Sequence, residues 1–349
     1  MTGLTQIKML FCRVHCPQCI FFDTESGLCF DEINVARWQI MRGKILRIVL
    51  SFVVLLMSSM PVPAQDGVGT GQADSSITIA VIGDLAGKKS SQQVSDLIIA
   101  QGSVKAVLIA GDTCNTAATP LGEYGKLYKG TYDRILSILY PCPGNHDKRS
   151  IPPFSGYCSF WKEKAHAPDM YYSFDLGGWH FVSLNSEAFH VKGKDESAAN
   201  QIEWLRKDLA ARPGAPVIAY WHRPLFSKAK HCGDGKMKPF WDVIHAHGPA
   251  LVFNGHNHVY ERYDPLDSEG KSAAAANGIQ EFVIGPGSSP DKDGMLNTEP
   301  PVPAVFHDKA LHVGFFTLAP DGGYKFTIKA ITDGKIKEVD TGSGRLVPY

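Results

Sequence analysis

Ile77-Thr78-Ile79-Ala80-Val81-Ile82-Gly83-Asp84 and, further on, Lys105-Ala106-Val107-Leu108-Ile109-Ala110-Gly111-Asp112 decide how this chain is read. Each is an apolar run that ends in Gly-Asp, the pattern of a strand buried on both faces and closed by a turn. Between them Ser90 or Ser91 can cap a helix whose Val94, Leu97 and Ile98 fall on one face. Strand, helix and strand in so short a stretch predict a parallel crossover unit.

The same grammar continues outward. An amphipathic helix is expected near Tyr124–Ile138, followed by Leu139-Tyr140-Pro141-Cys142-Pro143 running into Gly144-Asn145-His146-Asp147. Tyr171–Leu176 and Trp179–Leu184 meet at Gly177-Gly178, a hairpin signal. Ile202, Leu205 and Leu209 give another helix, with Trp204 as core. Val217–Trp221 leads into His222, and Ala250–Phe253 leads into Asn254-Gly255-His256-Asn257-His258. Further strands are expected at Gln280–Ile284, Val313–Leu318 and Tyr324–Ile331. With no internal repeat and no second linker, residues 76–349 read as one mixed α/β domain.

Composition narrows the class. In 349 residues, 44% are hydrophobic and 20% charged, which excludes a disordered or fibrous protein. Lys plus Arg, 35, equals Asp plus Glu, 35, so no basic field exists for nucleic acid. The long apolar run, Ile48–Met57, is about half of the roughly 20 residues a spanning helix needs, which excludes a multi-pass membrane protein. Preceded by Met41-Arg42-Gly43-Lys44 and followed by Pro61-Val62-Pro63-Ala64, that run has the anatomy of a secretory signal peptide over residues 41–64. The protein is then exported, periplasmic or secreted, without stable membrane insertion once the signal is cleaved. Residues 65–75 read as a flexible linker.

Residues 1–40 lie upstream of that signal and read as an artefact of the start site. Their Cys12, Cys16, Cys19 and Cys29 only loosely resemble a zinc cluster, because paired C-x2-C units are missing. Cys114, Cys142, Cys158 and Cys232 follow the signal, and an even number in an exported protein permits two disulfides with three pairings open.

Five strand ends carry a metal-ligating residue type: Asp84, Asp112, Asn145, His222, and the pair His256 and His258. Any one alone is an ordinary turn or core residue. Together they can converge, because ligands of open α/β sheets sit at the carboxyl ends of strands. Carboxylate, amide oxygen and imidazole suit Zn, Mn or Fe, whereas Ca favours oxygen alone and structural Zn favours thiolates. Six donors are too many for one tetrahedral ion and fit two ions sharing a carboxylate, an arrangement suited to phosphate ester hydrolysis.

Gly83-Asp84, Gly111-Asp112, Gly144-Asn145-His146-Asp147, the His222 segment and Gly255-His256-Asn257-His258 resemble the five blocks of the calcineurin-like metallophosphoesterase superfamily. Tyr171–Gly177, Trp179–Asn185, Trp204-Leu205, Tyr260-Glu261-Arg262 and Gly278–Val283 are similar to its purple acid phosphatase branch, in a short bacterial-type form. The resemblance implies a two-sheet mixed β-sandwich flanked by helices, and a phosphatase acting on small phosphorylated substrates through a metal-activated hydroxide. It implies Asp84, Asp112 and His258 at a first metal, and Asp112 as bridge with Asn145, His222 and His256 at a second. His146 would be the proton donor to the leaving group. A phosphodiesterase or nucleotidase of the same superfamily, or a catalytically impaired binding protein, remain alternatives at this point.

Two positions depart from the family pattern. Where one branch has a histidine ligand two residues after the first Asp, this chain has Ala86, as purple acid phosphatases have a small residue there. Where those enzymes have a tyrosinate three residues after the bridging Asp, this chain has Asn115. The first metal loses both extra ligands unless Asn115, or a group such as Tyr124, substitutes. Arg223 is a candidate phosphate clamp. The loop Phe226–Lys238 holds Lys228, Lys230, His231, Lys236 and Lys238 and is either a basic rim for substrate or a solvated loop. His245 and His247 read as structural or surface residues.

Overall fold

The computed structural model describes two short strands, β1 (Phe21–Asp23) and β2 (Leu28–Phe30), and residues 76–346 apart from 117–119, 192–194 and 276. Residues 1–40 are described only in those two strands, which pair antiparallel with Cys29 opposite Phe22. Residues 41–64, read as a signal segment, residues 65–75, read as a linker, and Cys12, Cys16 and Cys19 lie outside the described residues. The described residues from Ser76 onward form one compact unit.

That unit is built on two mixed sheets. The first orders its strands Lys335–Arg345 (β15), Gly323–Thr332 (β14), Leu311–Leu318 (β13), Ile77–Ile82 (β3), Val104–Ile109 (β4) and Leu139–Pro141 (β5). The second orders Val305–His307 (β12), Tyr260–Arg262 (β10), Ile279–Ile284 (β11), Ala250–Asn254 (β9), Val217–Tyr220 (β8), Trp179–Ser183 (β7) and Tyr172–Leu176 (β6). β3, β4 and β5 run parallel, as do β7, β8, β9 and β11, so the Gly-Asp runs are the crossover unit expected of them. Gly177 and Gly178, at φ 61° and 84°, make the tight turn between β6 and β7.

Burial explains the layers. Ile79, Val81, Leu108, Phe253, Phe282 and Phe316 fill the space between the sheets. On the outer side of the first sheet, Ala80, Ile82, Val107 and Ile109 meet Val94, Leu97 and Ile98 of the helix Lys88–Ala100 (α1). On the outer side of the second, Val182, Ala219 and Val252 meet Leu205 and Leu209 of the helix Asp195–Ala210 and Phe240, Trp241 and Ile244 of Lys238–His247. Alternate residues of one strand therefore serve different layers, which is why the β3 and β4 runs are apolar throughout.

Several details differ from the expectation. The helix Lys88–Ala100 starts about one turn earlier than expected, with Gly87 at its N-cap position. Neither serine caps it: Ser90 Oγ donates to Ser288 O, and Ser91 Oγ lies 3.4 Å from Ala86 O. The segment Tyr124–Ile138 is two elements, an α-helix Leu121–Tyr128 and a 3-10 helix Tyr132–Ile138, because the chain turns at Gly130, φ 73°. Cys114, Cys142, Cys158 and Cys232 are free thiols, so the two disulfides their number permits are not formed; Cys114 and Cys142 pack in different core clusters and Cys232 is exposed. His245 and His247 are half-buried on the helix Lys238–His247. No helix among the described residues is long and apolar enough to cross a membrane.

Candidate metal centre

The loops that leave β3, β4, β5, β8 and β9 meet at one edge of the sandwich. Backbone bonds stitch them together: Asp84 N–H donates to Gly111 O, and Gly255 N–H to His222 O. Close approach needs missing side chains. A Cβ on Gly111 would lie 2.5 Å from the His222 ring, and one on Gly255 would lie 2.6 Å from Asp84 Oδ2. Asp84, Asp112 and His256 themselves take φ of 56°, 45° and 71°, a left-handed conformation that side-chain-bearing residues rarely adopt.

All six residues read as ligands come together. One donor atom each from Asp84, Asp112 and His222 lies within 4.8 Å of the others, and all three residues are buried. His222 Nε2 stands 3.1 Å from Asn145 Oδ1, 3.3 Å from Asp112 Oδ1 and 3.2 Å from His256 Nδ1. His258 Nε2 stands 3.5 Å from Asp84 Oδ1. Behind these atoms the rings are fixed by backbone carbonyls, His222 Nδ1 on Ala110 O at 3.0 Å and His258 Nδ1 on Ser289 O at 2.7 Å. Such second contacts set the orientation of a ligating imidazole and turn its other nitrogen inward.

The donor set fits a cation. Asp84 Oδ1 is buried without a hydrogen-bond partner, while Asp84 Oδ2 accepts from His256 N–H at 2.9 Å. Burial raises the pKa of Asp84, against the pull of His258 and His222. Burial opposes a charge on His222 too, yet the neighbouring Asp112 and Asp84 push it up to about 9. His258, similarly opposed by burial, is pushed up to about 9 by Asp84. Inward-facing oxygens thus call for positive charge at this point, which a proton on imidazole or a bound metal can supply; a metal would displace the protons.

His146 and Arg223 flank the cluster. His146 N–H donates to Asp112 Oδ1 at 2.7 Å, its Nδ1 bonds Thr116 O at 2.6 Å, and its Nε2 lies 3.9 Å from Asp112 Oδ2. Arg223 donates through Nη1 to His256 Nε2 at 3.1 Å and through Nε to Glu187 Oε1 at 2.5 Å. Because Glu187 occupies Nε, any phosphate contact falls to the terminal nitrogens.

The roles of three supporting residues escaped the sequence reading, which has Asp147 only within Gly144-Asn145-His146-Asp147 and His231 only as part of the basic loop. Asp147 is fully buried and accepts from Thr113 N–H, Gly144 N–H, the Thr113 hydroxyl and Tyr124 OH, tying the Asp112 and Asn145 loops together. Burial, with the charge of Asp112, pushes its pKa up to about 7 despite those donors. The Tyr124 phenol, 2.6 Å from Asp147 Oδ1, is committed there, so Tyr124 is not the substitute ligand it was considered to be. Asn115 does reach the first-metal corner, with Nδ2 3.0 Å from His258 Nε2.

Glu187 is the second, buried beneath Lys148 Nζ at 2.6 Å and Arg223 Nε. His231 is the third, its ring centroid 4.8 Å from that of His256. The loop Phe226–Lys238 is thus only partly solvated: Lys228 is buried, and Lys236 and Lys238 bond neighbouring carbonyls and carboxylates. Asp147 and Glu187 lie several residues beyond the ends of β5 and β7, and no local signal marks their roles; His231 is marked only by its neighbouring lysines.

The family model for calcineurin-like phosphoesterases matches residues 77–260, more than half of the chain. Purple acid phosphatase 15 of Arabidopsis thaliana is 28% identical over 263 residues, which cover 64% of this chain and 47% of that protein. Acid phosphatase type 7 of Homo sapiens is 29% identical, over 54% of this chain and 48% of its own length. The chain spans about half the length of these relatives. Among solved structures, the purple acid phosphatase PPD1 of yellow lupin superposes with a TM-score of 0.59 at 16% identity, over 82% of this chain and 55% of that one. GAP50 of Plasmodium, the anchor in the inner membrane complex, gives 0.58 at 13%, over 78% and 89%. At such identities the superpositions speak to the fold, and the sequence match supplies the rest: the chain belongs to the calcineurin-like phosphoesterase family, in its purple acid phosphatase-like branch.

Proposed function

We propose that this chain is an exported phosphatase that hydrolyses phosphomonoesters at a dinuclear metal site. The observation that carries this is the convergence of six donors from five strand ends around a buried, unpartnered Asp84 Oδ1. Asp84, Asp112 and His258 would hold one ion; Asp112, Asn145, His222 and His256 the other. Zn, Mn or Fe suit this set. When bound, the ions supply Lewis acidity that polarises the phosphoryl group and activates water for attack. The chain's own residues do the rest. His146 holds its ring by the Nδ1 bond to Thr116 O and presents Nε2 for proton transfer to the leaving alkoxide. Arg223, held by Glu187, offers its terminal nitrogens to a phosphate oxygen. Buried Asp112 keeps its charge, since His222 beside it outweighs the cost of burial.

Metal analysis of the purified protein, together with turnover of an aryl phosphate and of its diester, tests this reading. Two ions per chain and preference for the monoester are expected. Faster turnover of the diester would favour a phosphodiesterase. A second reading, an impaired binding protein, draws on Asn115 Nδ2 facing His258 Nε2 where the branch has tyrosinate, and would be the answer if metal binds without turnover. For export, mass spectrometry of the secreted or periplasmic protein should find an N-terminus near Gln65; peptides spanning Cys12 to Cys29 would refute the signal.

A further inference from the structure

We infer that Glu261 and Glu281 are positioning residues, a buried carboxyl pair that pins the backbone of residues 225–228 and thereby fixes His231 at the edge of the candidate metal centre. Both side chains are fully buried. They belong to neighbouring antiparallel segments in which Glu261 pairs with Val283, and Tyr263 N–H donates to Glu281 O. Glu261, Tyr263 and Glu281 therefore share one face of the sheet.

The segment that follows His222 arches over that face. Glu281 Oε1 accepts from Leu225 N–H at 3.1 Å and from Phe226 N–H at 3.5 Å, and Glu261 Oε1 accepts from Lys228 N–H at 2.8 Å. The arch is then passed to Asn257, between the two candidate ligands His256 and His258. Asn257 Nδ2 donates to Ser227 Oγ and Cys232 O, and its Oδ1 accepts from His231 N–H at 2.8 Å. Buried side chains of the strand end thus take up a run of donors that a surface loop would give to water.

Each carboxyl has one engaged oxygen and one bare one. Glu261 Oε2, Glu281 Oε2 and the Tyr263 hydroxyl are all buried without a partner. Two buried carboxylates repel each other across an apolar layer, and the repulsion favours the neutral, protonated form of one of them. Burial raises Glu261 to about 7, and burial with the charge of Glu261 raises Glu281 well above its ordinary value. The groups that face the pair are Tyr263, Ser227 and Lys228. The arch needs the pair neutral on its inner side and accepting on its outer side, which glutamine can imitate and leucine cannot.

The link from arch to substrate rests on the phosphatase reading; the pinning of the arch does not. Hydrogen exchange in the full chain is measured for peptides covering residues 224–232 in the unaltered protein, Glu281→Leu and Glu281→Gln. Glu281→Leu should speed exchange there by about 10- to 100-fold, the loss of one or two bonds to buried backbone donors, with β9 and β11 still protected. Glu281→Gln should stay within about 3-fold. In kinetics with an aryl phosphate, Glu281→Leu should raise KM about 10-fold with kcat and metal content unchanged, and Glu281→Gln should restore KM. Unchanged exchange in the arch, or loss of protection spread through the whole domain, overturns the proposal, as does a glutamine variant as damaged as the leucine one. If Glu281→Leu fails to fold, Glu261→Ala replaces it, with Lys228 N–H as the reporter. Should the unaltered protein turn over no phosphate ester while the exchange results hold, the phosphatase reading fails and the latch stands.

Discussion

Glu187→Gln removes one negative charge and leaves two cations beside it. Glu187 is fully buried; the side chains it serves, Lys148 and Arg223, are 24% and 18% exposed. Removing one partner of a buried ion pair costs about 3–5 kcal/mol, and an exposed pair is worth about 0–1 kcal/mol. Partly exposed partners place this site between the two, at about 2–3 kcal/mol. At about 2–4 °C per kcal/mol for domains of 150–250 residues, the melting temperature should fall by about 4–12 °C. The effect carries a pH signature. Burial alone would raise Glu187, but Arg223 and then Lys148 prevail and hold it below its ordinary 4.5. A lowered folded-state pKa gives stability that is complete above the unfolded value and is lost as the pH falls through the folded one. Thermal melts of the two proteins should therefore differ fully at pH 7 and draw together only as the pH falls below 4.5 and through the lowered folded-state value. A difference of less than about 1 °C at pH 7, or one that persists undiminished in acid, would refute the reasoning.

Other outcomes follow from the same geometry. Asp112→Ala should lose metal from both positions, measured by elemental analysis, because its carboxylate is the group common to both donor sets; full occupancy would contradict the bridge. His146→Ala should keep its metal and lose about 10²–10⁴-fold in turnover of alkyl phosphates, whose leaving groups need a proton, and equal activity would remove His146 from that role. Asn115→Tyr places a phenol beside His258 and should raise iron retention, read as metal content and as a visible absorption band from tyrosinate charge transfer; a band of that kind in the unaltered iron-loaded protein would mean another tyrosine already coordinates.

What could be read from sequence was what repeats along a line. The runs at Ile77–Ile82 and Val104–Ile109 announce doubly buried strands because each residue in them needs an apolar neighbour on one side or the other. Candidate ligands were legible for the same reason, since Gly-Asp or His-x-His directly after such a run has a direction built in. Strand Lys335–Arg345 was missed because it is an edge strand of mostly exposed polar residues, and its Gly342, against which Phe326 packs, reads as a turn in isolation. Asp147, Glu187 and Glu281 were illegible for another reason: their partners come from other segments, 23 residues or more away in most cases, and no periodicity connects an acceptor to a donor on a distant loop. Tyr124 shows the reverse error, a residue of suitable chemistry whose phenol a buried carboxylate had already claimed.

The costs stored at the strand ends bear on why these residues are where they are. Three of the six candidate ligands hold left-handed backbone, at about 1–3 kcal/mol each, and Asp84 buries a carboxylate oxygen with nothing to bond. A fold stabilised by 5–15 kcal/mol in total does not carry such terms by accident at one spot. The surrounding lattice of bonds over-determines them: Ala110 O orients His222, Ser289 O orients His258, and Asp147 gathers the donors of two loops. Each of those bonds is made to the far side of a candidate ligand or to the loop beneath it, so the near sides are left facing one another. Imidazole, amide and carboxylate atoms share one small space, and its buried oxygens are balanced only by positive charge, carried as protons on His222 and His258 or by a metal ion that displaces them. Strain, burial and unmet acceptors at one place are thus the same fact seen three ways, and a cation is the simplest group that answers all of them.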